Sequence, residues 1–545
     1  MTKPARGADA LVRTLEEQGI DVLFSLSGNH IMPVYDAAFG RPVRIVHTRH
    51  EAAAVHMADA WARLTGRVGV ALVSAGQGHA NAVAALCTSL AAETPLVLIS
   101  GHAPLRELGN GSFQEQDQAA LAAPTVKSAW VVQSPDDLAD DLIRAMRIAA
   151  AGRPGPVQLN VPSDVLDGPV TGRGPAAPAT PPSQELAPDA RDRILGAIGK
   201  AQRPVVLAPP ALCTPHGRRL LHGLREALGL PVIAMESPRG VNDPSQGALS
   251  QVLRAADLVL LLGKQLDFTL RFGDAPFAAS AAWIVLEPEA RLGERARRML
   301  GDRLALLAAV DAFSAADALS KGTVQRAPAH RPWLAHAEAL LSHRPQEWDQ
   351  AADGADGALH PVTIGRAVQA FIDRNGGVLV ADGGEFSQWA QALVRAPERL
   401  INGPAGAIGP AVPFAIGASL ARPDRPVVAM LGDGTFGFHM AEFETALRHD
   451  LPFIAIVGND SRWNAEYQIQ CRDYGRDRAH ACTLPPDVRY DLAVAALGAH
   501  GELVTRAEDL PAALERAHGS GKAACLNVRL SPHPAPVIAA AEAPG

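Results

Sequence analysis

Residues Val427 to Ala465 read VVAMLGDGTFGFHMAEFETALRHDLPFIAIVGNDSRWNA. The apolar run Val427 to Leu431 predicts a buried strand, an amphipathic helix follows from about His439 to His449, and Phe453 to Val457 predicts a second strand. Together they make a strand, glycine turn, helix, strand unit with an acid at each turn. Gly432, Gly434 and Gly437 spell G-x-G-x-x-G, which raises a dinucleotide site, where glycines let backbone amides approach a pyrophosphate. Asp433 stands against that reading, because a carboxylate between two such glycines repels a diphosphate unless a divalent cation separates them. Asp460 falls at the end of the next strand, where parallel neighbours bring their carboxyl ends together. Two hard oxygen ligands there, completed by phosphate oxygens and water, suit Mg²⁺.

Outward from this unit the chain alternates short apolar runs with helices. In the first block the runs are Val22 to Leu26, Val43 to His47, Val68 to Ser74, Leu96 to Ser100 and Pro156 to Val161. A second block has Val205 to Ala208, Pro231 to Ala234, Leu258 to Leu262 and Ala282 to Leu286, and a third adds Val378 to Ala381 and Ala524 to Val528. Such alternation predicts βαβ units, hence α/β domains with mainly parallel sheets flanked by helices. A Pro/Ala/Gly-rich stretch and a stretch without periodicity separate the blocks. The expected division is 1–170, a linker at 171–188, 189–325, a linker at 326–357, and 358–545.

With 545 residues, several domains are expected. A net charge of −7, from 57 acidic and 50 basic residues without a basic block, recommends neither nucleic acid nor an anionic membrane as partner. Five cysteines without CxxC spacing argue against a zinc site or a disulfide framework. The polar start MTKPARGADALVRTLEEQG and the lack of a membrane-length apolar run make the cytoplasm the expected location.

The GDG turn, its spacer, the Leu451-Pro452 before the second strand and Asn459-Asp460 resemble the cofactor motif of the thiamine diphosphate (ThDP) enzymes. The similarity is to the acetohydroxyacid synthase, benzaldehyde lyase and 2-hydroxyacyl-CoA lyase branch, with Asp460 where most relatives have an asparagine. It covers essentially the whole chain and implies three domains: pyrimidine-binding, middle and diphosphate-binding. The resemblance implies that Asp433, Asp460 and the Arg462 carbonyl hold Mg²⁺. It sets Gly383, Glu385, Phe386, Gly432, Gly434, Thr435, Asn459, Trp463 and Ala465 against the cofactor. Gly406 would accept from the 4′-amino group and Ile408 would wedge under the bent cofactor, although Ile408 also reads as an ordinary core residue. The polar stretch Cys471 to Tyr490 suits a lid.

Glu51, in RHEAAA, reads either as a helix N-terminal carboxylate or, by resemblance, as the acid that hydrogen-bonds the aminopyrimidine and drives removal of the C2 proton. In that role it should be shielded from water. His30 reads as structural, or as the active-site histidine of benzaldehyde lyase-like members; synthases have a small residue there. Gln114 resembles a contact to substrate or intermediate, and Lys127 is either an active-site lysine or an exposed one. In the middle block the arginine expected in flavin-bearing relatives aligns with Thr269, which disfavours FAD and leaves ADP open.

The resemblance therefore implies a lyase/carboligase acting on 2-hydroxyketones, aldehydes or 2-keto acids through a C2 ylide and an enamine. Acetolactate synthase-like transfer, 2-hydroxyacyl-CoA lysis and 2-keto acid decarboxylation are the alternatives. It also implies a homodimer as the minimum and a homotetramer as the expected assembly. An NAD(P)-binding oxidoreductase using Gly432 to Gly437, and a non-catalytic ThDP-binding protein, are the rival classes.

Overall fold

The structure is a computed structural model that describes residues 5–171, 183–324 and 326–539. Most of the expected first linker, 172–182, lies outside the described residues. Among the rest are three sheets, and every strand pair in them is parallel. The first runs, edge to edge, Arg44–His47, Val22–Ser25, Gly69–Val73, Leu96–His102, Pro156–Pro162 and Ala129–Val131. The second runs Leu304–Ala308, Ala282–Leu286, Leu258–Leu262, Pro204–Ala208 and Val232–Ala234. The third runs Glu398–Ile401, Val378–Ala381, Val427–Gly432, Ile454–Asn459, Ala524–Arg529 and His500–Val504. Helices on both faces bury the central strands, which is why these read as unbroken apolar runs.

By contact the chain divides into two compact units. One holds the first sheet together with 413–421 and 441–451; the other holds the second and third sheets.

In the first unit the helix Glu51–Thr65 is built to pack closely. His50 Nδ1 caps it by accepting from the Ala52 N–H at 3.1 Å, and Gly66, at φ 74°, ends it in the left-handed region. Its alanines let Gly417 approach so near that an added Cβ would fall 2.5 Å from the Met57 carbonyl oxygen. In the second unit, the expected second connection contains a thirteen-residue helix, His330–Ser342. Its Trp333 is buried in the middle block's core and donates to the Pro204 carbonyl at 2.8 Å.

Candidate active site

In the third sheet the register aligns Gly432 with Gly458, so the turns that follow these two strands leave the sheet side by side. Between them and the turns after Val378–Ala381 and Glu398–Ile401 lies a cavity of about 210 Å³. Gly383, Glu385, Phe386, Gly406, Ile408, Gly432, Asp433, Gly434, Thr435, Asp460, Arg462, Trp463 and Ala465 all line it. Three glycines are small because rings and side chains fill the adjacent space. A Cβ on Gly434 would meet the Trp463 ring at 2.8 Å, one on Gly458 the Phe386 ring at 2.6 Å, and one on Gly383 the Ile408 side chain at 2.7 Å. Ile408 remains 40% exposed, an apolar side chain on a cavity wall rather than in the core.

Asn459 corrects the expectation. Successive side chains on a strand point to opposite faces, so Asn459 turns away from the cavity that Gly458 and Asp460 line. Its amide donates to the Val488 carbonyl and to Asn527 Oδ1, both at 3.1 Å, and its Oδ1 accepts from Ser461 at 3.3 Å. It shapes the turn that carries Asp460 without facing the cavity. The expected lid is part helix, since Asn464–Tyr474 is helical before the chain becomes irregular.

The electrostatics of the cavity ask for a cation. Asp433 is buried and its Oδ2 has no hydrogen-bond partner, while Oδ1 accepts from the Gly434 N–H at 3.0 Å. Burial pushes Asp433 up to about 6; burial and the Asp433 charge push Asp460 up to about 8. Glu466 adds a third acid and Glu385, paired with Arg239 at 3.3 Å, a fourth, against the one lining arginine, Arg462. An anionic diphosphate fits this lining only with a divalent ion between, and an orphaned carboxylate oxygen beside a second carboxylate is the donor set such an ion takes. The glycines do not open a long helix: the segment after the strand is a four-residue helix, Asp433–Phe436. That removes the geometric basis of the dinucleotide alternative.

The loops after the first four strands of the N-terminal sheet meet in the other unit. Glu51 Oε2 accepts from Asn81 Nδ2 at 3.0 Å, and a Cβ on Gly78 would stand 3.3 Å from Glu51 Oε1. Ser74 Oγ lies 3.4 Å from His30 Nδ1, and the buried His30 ring stacks on the largely exposed Phe113, centroids 5.8 Å apart. Gln114 adopts φ 59°, a left-handed conformation rare for its type, and a Cβ on Gly76 would meet its Cβ at 2.8 Å. His30, Glu51 and Gln114 thus share one rim. Glu51 is half-exposed there rather than shielded.

Lys127 is not at this rim. Its ammonium donates to the Ile148 and Ala151 carbonyls at the end of the helix Leu138–Ala150, a helix C-terminal contact that explains a lysine there.

Three supporting residues carry no recognisable motif. Asp382, fully buried, accepts from the Gly383, Gly409 and Ala411 N–H groups at 2.7, 3.0 and 3.2 Å, tying together two loops of the cavity. Glu442, buried in the N-terminal unit, accepts from Arg49 N–H at 3.0 Å and Thr445 Oγ1 at 2.6 Å and so fixes the turn before Glu51. Gln118 holds the Gly76 N–H at 2.9 Å. The one available signal was an acid or amide within an otherwise apolar environment.

A doubly wound sheet whose strand ends carry two neighbouring buried acids in a glycine-walled cavity is the frame of a cofactor-binding protein. Residues 5–121 match the family described as thiamine pyrophosphate enzyme, N-terminal TPP binding domain, and 382–528 match its C-terminal TPP binding domain. The chain is 32% identical to the acetolactate synthase large subunit IlvG of Mycobacterium tuberculosis, over 97% of both chains. It is 31% identical to human 2-hydroxyacyl-CoA lyase 2, covering 92% of this chain and 85% of that one. The chain belongs to the thiamine pyrophosphate enzyme family and is a ThDP-dependent enzyme. Among the described residues no helix is long and apolar enough to cross a membrane.

Proposed function

We propose that this enzyme is a Mg²⁺-requiring carbon-carbon lyase/carboligase acting on 2-hydroxyketones, aldehydes or 2-keto acids. The reading rests most on the rim of His30, Phe113 and Gln114 beside Glu51. Bound at the site, the thiazolium supplies an electron sink next to the reacting carbonyl. Asp433, Asp460 and the Arg462 carbonyl would hold the metal; Gly383, Glu385, Gly432, Gly434 and Thr435 would border the diphosphate, and Ile408, Phe386 and Trp463 would border the rings. Glu51 would hold a proton at a pyrimidine ring nitrogen.

Burial pushes His30 below its ordinary value, so its imidazole is neutral at pH 7. A neutral imidazole can take the proton from a 2-hydroxyketone's hydroxyl oxygen during cleavage and return it to an aldehyde oxygen during ligation. Gln114 would orient that oxygen. Decarboxylation of a 2-keto acid needs no such transfer when its bond breaks. His30→Ala should therefore slow acyloin cleavage and ligation ~10²- to 10⁴-fold while leaving 2-keto acid decarboxylation within about threefold and ThDP affinity unchanged. Equal loss of both activities makes His30 structural and favours acetolactate synthesis, the activity in the name of the mycobacterial relative.

We further propose that the Glu51 rim of one chain completes the acid cavity of another. A homodimer is then the minimum unit, with a homotetramer the expected assembly, and the half-exposure of Glu51 in the single chain fits a surface that a partner covers. In the middle block the turn after Pro204–Ala208 opens with Pro209 and Pro210, which have no N–H to offer a phosphate. Thr269 is buried with its hydroxyl on Asp267. Both features support a middle domain without FAD or ADP. Five free cysteines accord with a reducing cytoplasm.

A further inference from the structure

Away from the cofactor cavity, a second cavity of about 260 Å³ opens at the carboxyl end of the strand Val232–Ala234 and the end of the helix Glu385–Leu393. Four guanidinium groups reach it, from Arg218, Arg344, Arg395 and Arg399. Only Arg399 is ion-paired, to Glu236 at 2.6 Å. Arg218 uses its Nε on the Cys213 carbonyl at 2.8 Å, and Arg344 binds the Ala392, His343 and Ser245 carbonyls at 2.7 to 3.0 Å. Arg395 has no acidic partner among the described residues. Buried Asp243 is the second nearby acid, so four cations face at most two anions.

The polar lining is left unsatisfied as well. Gln391 is 2% exposed, and neither its Oε1 nor its Nε2 has a hydrogen-bond partner, whereas the neighbouring Ser245 is engaged with Asp243. Buried amides and hydroxyls are almost always paired, so orphaned donors beside unpaired guanidiniums ask for an acceptor from outside the chain. The helix end also contributes carbonyls that disfavour an anion, but Arg344 already engages the Ala392 carbonyl.

We infer that this cavity is a binding site for a small oxyanion, a phosphate- or carboxylate-bearing molecule, held by Arg218, Arg395 and the Gln391 amide. Guanidinium forks match both kinds of oxyanion, and the bound oxyanion would accept from the Gln391 amide in the same step. Edge position separates this site from the crevice between Pro204–Ala208 and Leu258–Leu262, where the order of the middle sheet reverses and a nucleotide would be sought.

The test titrates inorganic phosphate, and separately citrate, into enzyme saturated with ThDP and Mg²⁺, by calorimetry at ionic strength fixed with NaCl. Saturable binding with Kd of about 1 mM or tighter is expected for at least one of them, the tighter naming the chemistry of the occupant. Arg218→Ala with Arg395→Ala should weaken it at least ~tenfold. Gln391→Leu should weaken it too while keeping Tm at or above the parent's, because it removes an unpaired buried amide. Absence of saturable heat for both anions up to ~20 mM, or an unchanged Kd in the arginine variant, overturns the assignment.

Discussion

The N-terminal and C-terminal sheets have one topology and opposite chemistry. In each, the first strand lies between the second and third, the fourth follows, and the sixth precedes the fifth at the far edge. In each, the four loops after the first four strands carry the candidate site. In the N-terminal sheet these give His30, Glu51, the Ser74 to Gly78 turn and Gln114; in the C-terminal sheet they give Glu385, Ile408, Asp433 and Asp460. One rim holds proton-transferring and amide groups and the other an acid pair with an orphaned oxygen. The same four loops on the same scaffold thus present a histidine, a carboxylic acid and amides in one copy and a pair of neighbouring acids in the other. Topology fixes where a site can form, and the loop residues fix what it does.

If the acid pair is the metal site, the largest effect in the molecule belongs to Asp433. Asp433→Ala should lower Mg²⁺-dependent ThDP affinity by more than ~10³-fold, because a buried ligand and its charge vanish together. Asp460→Asn should stay within about tenfold, an amide oxygen still being a ligand. Calorimetry giving Asp433→Ala the parent's affinity would move the metal elsewhere.

Division of labour between the sheets is tested by mixing. Chains carrying Glu51→Ala and chains carrying Asp433→Ala should each be inactive, yet reassembled together they should recover about a quarter of parental activity. Half of the randomly formed dimers are hybrids, and one of the two sites in each is intact. An inactive mixture with subunit exchange shown by mass spectrometry would place both rims of a site on one chain.

A smaller effect separates the rims by pH. In the metal-free protein Asp460 is raised to about 8 and Asp433 to about 6, so at pH 7 the pair carries about one proton that Mg²⁺ must displace. Affinity for Mg²⁺ should rise about tenfold per unit from pH 6 to 8 and level off above. Titrations in buffers of different ionisation heat should report that proton, and Asp460→Asn should abolish it. Buffer-independent heats in the parent would remove the coupled acid pair.

Much of this was legible because central parallel strands, buried on both faces, are continuous apolar runs ending where the chemistry begins. Four of the six edge strands were not legible. Ala129–Val131, Leu304–Ala308, Glu398–Ile401 and His500–Val504 all lie at sheet edges and are only partly buried; the last two break the apolar run with charged residues, and the apolar AWV and LALLA of the first two do not stand out from their surroundings. The motif placed Asp433 and Asp460 in the cavity, but position in a motif says nothing of side-chain direction, and alternation along the strand sent Asn459 the other way. Lys127 left two readings open until the helix end it contacts was known. Asp382 and Glu442 gain meaning only from N–H groups distant in sequence, Arg49 in the case of Glu442 and Gly409 and Ala411 in that of Asp382.

Those two acids give the finest comparison between the halves. Burial pushes each up to about 7, from ordinary values near 3.8 for Asp382 and 4.5 for Glu442. The folded protein therefore holds a proton on each that the unfolded chain releases at lower pH. Each contribution to stability is fully present below about pH 4 and is lost as pH rises through about 7, with a slope of up to ~1.4 kcal/mol per pH unit. Asp382→Asn and Glu442→Gln should both flatten urea-derived stability between pH 5 and 8 in the metal-free protein. They should differ in their fixed cost. Asp382 accepts N–H groups on both oxygens, so an amide must turn its NH2 toward the Ala411 N–H or toward the Gly383 and Gly409 pair, a donor against a donor that should cost about 1–3 kcal/mol. Glu442 meets the Arg49 and His50 N–H groups and the Thr445 hydroxyl; an amide can keep its oxygen toward the Arg49 N–H while the hydroxyl rotates to accept from the new NH2, so Glu442→Gln should cost less, under about 1 kcal/mol. Equal costs, or a pH slope unchanged in either variant, would break the contrast between a carboxylate that fastens two loops around a cavity and one that fixes a single turn.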